Sequence, residues 1–113
     1  MKRHALFVGV NHYDGKAFKN LQYSISDAVA LSGVFATRGF DVEVLDNPKA
    51  EVVFGAVERN TSDLGSGDVF FFFFAGHGFT SPDGAHLLFC RDDMQRLLRV
   101  NAAGVRVDAL EAL

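Results

Sequence analysis

His77, held between two glycines in Phe74-Ala-Gly-His-Gly78, is the residue in this chain best placed by its neighbours to do chemistry. An imidazole takes up and returns a proton near neutral pH, so a positioned histidine is a candidate general base. Gly76 and Gly78 let the backbone turn sharply and approach a ligand closely. The same residues admit a plainer reading, a strand-end histidine satisfied by local hydrogen bonds. The other groups that could join it are His4, His12, His86 and Cys90. Zinc needs ligands that converge. On the strand expected over Ala85 to Cys90, His86 and Cys90 stand about 13 Å apart at about 3.3 Å per residue, too far to share an ion. Cys90, within Leu87-Leu-Phe-Cys90, reads as a buried small hydrophobe.

The elements that must position His77 follow from hydrophobic pattern. Five consecutive phenylalanines, Phe70 to Phe74, leave neither side of a strand for water, which predicts a buried central parallel strand covered by helices. Ala5 to Val10 reads as a first buried strand, ended by the polar turn Asn11-His-Tyr-Asp-Gly15. From Ser26 to Thr37 the apolar residues Ala28, Val29, Leu31, Val34 and Phe35 recur at helical spacing; Ser26 or Asp27 can cap the start and Gly39 marks the stop. Phe40 to Leu45 alternates as a strand. A second helix is predicted over Lys49 to Asp63, with Val52, Val53, Ala56 and Val57 inward, before Gly65-Ser-Gly67 breaks it.

The order is therefore β-α-β-α-β, and right-handed crossovers place the parallel strands as 2-1-3. The first and third strands become neighbours whose connections leave to opposite faces. A crevice opens at their carboxyl ends, where open α/β sheets bind ligands. Those ends carry Asn11 to Gly15 and Ala75 to Phe79, so topology puts His77 at the expected place. Ser81-Pro-Asp-Gly84 then reads as a turn between two hairpin strands, and Asp108 to Leu113 as a helix start.

Composition narrows the function classes. With 113 residues, 49% hydrophobic and 12 of them phenylalanine, the chain is one α/β domain at most, with a real core. A net charge of −3 without Lys/Arg clusters gives no footprint for nucleic acid or an anionic membrane. The apolar stretch after Met1-Lys-Arg-His4 is too short for a signal-peptide core or a spanning helix. A single cysteine excludes an internal disulfide framework and fits a reducing, cytoplasmic compartment. Gly-x-Gly-x-x-Gly, a phosphate loop and the Gly-x-Ser-x-Gly elbow are all absent. Ala75-Gly76 stand where a phosphoacceptor domain of this strand order needs an aspartate.

Phe74-Ala-Gly-His-Gly78, taken with Leu6-Phe-Val-Gly-Val-Asn-His-Tyr13, Leu21-x5-Asp27-Ala28 and Gly39-Phe-Asp-Val42, resembles the caspase-like cysteine peptidases, family C14, in the branch of the metacaspases and their prokaryotic relatives. The resemblance covers essentially residues 1–113, as the N-terminal, large-subunit part of one such domain. It implies a three-layer α/β/α sandwich with a following hairpin. By that resemblance His77 is the catalytic histidine, serving a cysteine thiol during attack on a peptide carbonyl, and the Gly78 amide contributes to the oxyanion hole. Asp27 matches the aspartate that helps line the pocket for a basic P1 side chain, where a buried carboxylate pairs with Arg or Lys; a helix N-cap is the competing role. Caspases that cut after Asp carry an arginine a few residues earlier, and Asn20-Leu-Gln-Tyr-Ser24 has none. The resemblance implies no cofactor, although Asp92, Asp93 and Asp108 could resemble the acidic calcium positions of some metacaspases.

One departure stands out. In caspases the cysteine follows the histidine by about 50 residues, whereas residues 78–113 are all that follow His77 here. The expectation is that a C-terminal or small-subunit segment brings the catalytic cysteine and that these residues alone do not cleave peptides. The alternative is a catalytically inactive relative, kept as a scaffold or protein-interaction module.

Overall fold

The computed structural model describes residues 1–15, 18–80, 82, 84, 86–92 and 105–106. Strand β1 (Arg3–Gly9) lies between β2 (Asp41–Asp46) and β3 (Val69–Ala75), all parallel, in the expected order 2-1-3. Helices α1 (Ser24–Ala36) and α2 (Ala50–Thr61) form the crossovers. Gly9 is level with Ala75 across the ladder, so β1 and β3 end together and their following loops share one rim.

The phenylalanine run is divided between the two faces by the pleat of the strand. Phe70, Phe72 and Phe74 pack with Leu6, Val8 and Val10 of the β1 segment and with Val53, Ala56 and Val57 of α2. Phe71 and Phe73 turn the other way, to Ala5, Phe7 and Ala28 and to Leu31 and Phe35 of α1. Helices thus cover both sides of the sheet, giving the α/β/α layering. The fully buried strand, however, is β1, where Ala5 to Val8 expose nothing. The phenylalanine run, expected to be a buried central strand, is instead an outer strand of the described sheet, as the order 2-1-3 requires, and its phenylalanines are half-buried. An apolar run reports that both faces are covered; it says nothing about whether both edges are paired.

The helices differ from their sequence patterns in instructive ways. In α1 the buried line is Ser24, Ala28 and Ser32, small residues four apart that bring the helix close to the sheet, while Val29 and Val34 are half-exposed. Val52 of α2 also faces outward. The α1 start is at Ser24 rather than Ser26, and neither Ser26 nor Asp27 caps it. Asn11 does so from outside the helix, its Oδ1 accepting the Ile25 N–H at 3.3 Å. Likewise Asp92 Oδ1 accepts the Ala50 N–H at the start of α2, at 3.1 Å. The α1 stop is as expected. Phe40 and Gly39 return their N–H groups to Phe35 and Ala36, and Gly39, at φ 84°, supplies the left-handed turn this needs.

A second sheet follows, with β4 (Gly78–Thr80) antiparallel to β5 (His86–Leu88) as the anticipated hairpin. It gains β6 (Val105–Arg106) beside β5, which the sequence pattern did not suggest. The turn residues Ser81 and Asp83, and the helix start at Asp108 to Leu113, lie outside the described residues. Among the described residues no helix is long and apolar enough to cross a membrane.

Candidate active site

The shared rim is built first by Gly9. A Cβ there would stand 2.7 Å from the Ile25 Cα and 2.8 Å from the Ser24 carbonyl oxygen, so its absence lets the first turn of α1 lie directly on the end of β1. The chain then loops from Val10 to Gly15 under the control of asparagines. Asn47, in the left-handed region at φ 48° that asparagine tolerates, accepts the N–H groups of Asn11 and His12 on its Oδ1 at 2.8 and 3.0 Å. Asn20 Oδ1 accepts the Tyr13 N–H at 3.1 Å. These bonds turn the Tyr13 ring inward, where only 2% of it is exposed.

His77 leaves the end of β3 half-buried beside that ring. Its Nε2 lies 2.7 Å from the Lys19 carbonyl oxygen. A carbonyl only accepts, so Nε2 carries the hydrogen, and Nδ1 of the neutral ring is left as the proton acceptor. The imidazole completes a triangle of rings, its centroid 4.9 Å from Tyr13 and 5.8 Å from Phe18, against which it stacks, with Tyr13 and Phe18 5.4 Å from each other. Phe18 in turn lies 4.7 Å from the Phe89 ring. The His77 main chain is also tied on both sides: its N–H donates to Tyr13 Oη at 2.7 Å and its carbonyl accepts the Phe89 N–H at 2.9 Å. Tyr13 Oη donates onward to the Phe89 carbonyl at 2.9 Å.

The direction of the Gly78 amide follows from register. Because Phe89 N–H bonds the His77 carbonyl, the next pair, Gly78 and Leu88, is of the non-hydrogen-bonded kind, with main-chain groups facing away from the partner strand. The Gly78 N–H therefore points off the outer side of β4, away from β5.

A family model described as Peptidase C14, caspase domain, matches residues 2–110. The chain belongs to the caspase-domain family. No curated protein matches it. The caspase domain is a cysteine peptidase fold acting on peptide or protein substrates, and such peptidases need no cofactor.

Within this caspase domain the other residues singled out from the sequence fall in different places. Asp27 is in the first turn of α1, at the rim, but it is exposed rather than buried, and its N–H bonds the Tyr23 carbonyl at 2.9 Å. A solvated carboxylate there is accessible to an incoming side chain. Cys90 is fully buried among Leu6, Val8, Val10 and Tyr13, in the core rather than at the mouth. The histidines do not converge. His4 Nε2 is 3.7 Å from Asp63, His12 Nε2 is 3.6 Å from Asp14, and His86 Nδ1 is 3.2 Å from Thr80 on the hairpin. Among the described residues no three His, Cys, Asp or Glu side chains group to hold a metal. Asp92 is engaged at the α2 start, and Asp93 and Asp108 lie outside the described residues.

Sequence reasoning placed His77 at the rim where β1 and β3 end, but missed what holds it there. Tyr13 stood in a turn and at the end of a motif with no role attached to it, and Phe18 carried no signal. Lys19 contributes a carbonyl, which every residue has.

Proposed function

We propose that this caspase domain is the large-subunit part of a cysteine endopeptidase of the metacaspase-like branch, cutting after Arg or Lys, with His77 as base and the Gly78 amide as an oxyanion donor. The observation that carries the reading is the Nε2 bond to Lys19, which commits the ring to one tautomer and leaves Nδ1 able to take a proton. In the reaction, the imidazole accepts the thiol proton and the thiolate sulfur bonds to the substrate carbonyl carbon. The carbonyl electron pair moves to oxygen, where the Gly78 N–H stabilises the charge. When the tetrahedral species collapses the C–N bond breaks, and the imidazolium returns its proton to the departing amine. Water, deprotonated by the same imidazole, then attacks the thioester and releases the acid and the thiol.

The sulfur comes from a segment beyond residues 1–113, because Cys90 is in the core. Asp27, in the first turn of the helix whose start Gly9 lets lie on the end of β1, supplies charge for the basic P1 side chain. The compartment that suits an active thiol is the reducing cytoplasm.

The test is His77→Ala in the intact protein, assayed on an Arg-containing reporter peptide. Loss of a general base lowers kcat by about 10²- to 10⁴-fold while the fold persists; unchanged turnover ends the catalytic assignment. The burial of Cys90 also favours a second reading, an inactive scaffold. Mass spectrometry of the purified material separates the two, since a scaffold requires no companion segment bearing a cysteine.

A further inference from the structure

We propose that Tyr13 is a positioning residue for peptide hydrolysis, acting through a hydroxyl set into the first rung of the β4–β5 hairpin. The inference rests on the reading of His77 and Gly78 as the working groups. In an antiparallel ladder a hydrogen-bonded pair exchanges two direct N–H to C=O bonds. Between His77 and Phe89 one is direct, from the Phe89 N–H to the His77 carbonyl at 2.9 Å. The other is relayed: the His77 N–H donates to Tyr13 Oη at 2.7 Å, and that hydroxyl donates to the Phe89 carbonyl at 2.9 Å. An oxygen atom thus wedges open the base of the hairpin on the His77 side. Gly76 makes room for it, since a Cβ at that position would stand 2.7 Å from Tyr13 Oη.

The consequence is geometric. The peptide unit before the His77 Cα is tied by Tyr13 through its N–H, and the unit after it is tied by Phe89 through its C=O. With both planes held, both backbone torsions of His77 are held. The first sets where the imidazole is rooted; the second sets where the Gly78 N–H points. Removing the hydroxyl lets the rung close directly, which turns the two planes together and moves base and oxyanion donor off their common target. Substrate binding through Asp27 lies on another element and is not altered.

The experiment compares the intact protein with its Tyr13→Phe and His77→Ala variants on the Arg-containing reporter. Folded fraction is read by circular dichroism, at a temperature below every melting transition. The expected result for Tyr13→Phe is a fall in kcat per folded molecule of about 10- to 100-fold, the cost of misplacing reacting groups by a fraction of an ångström to one ångström, with KM within twofold. A kcat per folded molecule within twofold of the parent, while His77→Ala is inactive, overturns the positioning role and leaves the catalytic reading standing. Activity in His77→Ala overturns both. A rise in KM with kcat preserved assigns Tyr13 to substrate contact and also overturns the proposal.

Discussion

Replacing Gly9 by alanine is the most direct probe of how the rim is assembled. Gly9 is not among the residues at positive φ, so alanine meets no backbone penalty, and by itself would stiffen the unfolded chain by about 0.4–1 kcal/mol in favour of folding. The opposing cost is steric. The new Cβ would meet the Ile25 Cα at 2.7 Å, the Ser24 oxygen at 2.8 Å and the Ile25 nitrogen at 2.9 Å, all backbone atoms of α1. Ordinary carbon contacts are about 3.5–4.0 Å, so the start of α1 must retreat from β1. Overpacking of that kind costs about 1–3 kcal/mol or more, and the helix cannot yield without straining the Asn11 bond to Ile25.

The net expectation is destabilisation by about 0.5–2.5 kcal/mol, a melting point lower by roughly 3–12 °C at this chain size. Gly33→Ala is the matched control: it sits in the same helix with nothing within 4 Å of a new Cβ. It should raise stability by about 0.5–1 kcal/mol, the usual gain from replacing an exposed helical glycine. Thermal melts of both variants in the intact protein measure the difference. A Gly9→Ala variant that melts at or above the parent would refute the claim that backbone contact between α1 and β1 builds the rim.

Asp27→Ala is expected to raise KM for Arg reporters about tenfold or more, the weight of a charge-assisted pair, with kcat little changed; an unaltered cleavage profile would remove Asp27 from the pocket. Cys90→Ala should retain full turnover per folded molecule while losing stability through the cavity left in the core, and abolished turnover in a well-folded variant would make Cys90 the nucleophile after all. For Glu43, burial raises the pKa, but hydrogen bonds from Arg59 and Asn60 and the Arg59 charge outweigh it and hold the carboxyl below the ordinary glutamate value. A depressed folded pKa means the pair contributes above the unfolded pKa and its contribution is lost as pH falls through the folded one. Arg59→Ala should therefore cost about 0.2–1 kcal/mol at pH 7 and nothing measurable in acid. A cost that persists unchanged in acid denaturation curves would contradict the pairing.

The sequence carried the strand order, the hairpin and the location of His77 because these depend on long apolar runs and on glycines where turns are sharp. It carried helix positions to within a few residues, and failed at their starts for a physical reason. Local capping rules look for Ser, Thr, Asp or Asn beside the first turn, whereas α1 is capped by Asn11 and α2 by Asp92, distant in sequence. Of the apolar residues that recur along α1, Ala28 is buried, whereas Val29 and Val34, about 100° and 120° around the helix from it, are half-exposed. At the site, the imidazole had a signature in its flanking glycines. Its supports, a tyrosine hydroxyl and a main-chain carbonyl, come together only in three dimensions.

Those remote caps couple the frame to the loops. Asn11 belongs to the same short loop as Tyr13, and Asp92 follows directly on the segment that carries Phe89. Peeling either loop from the sheet would release the leading amides of a helix along with the groups around His77. Amide hydrogens at Ile25 and Ala50 should then exchange in step with those of His77 and Phe89, so that the rim around His77 and the helical scaffold open as a single cooperative unit.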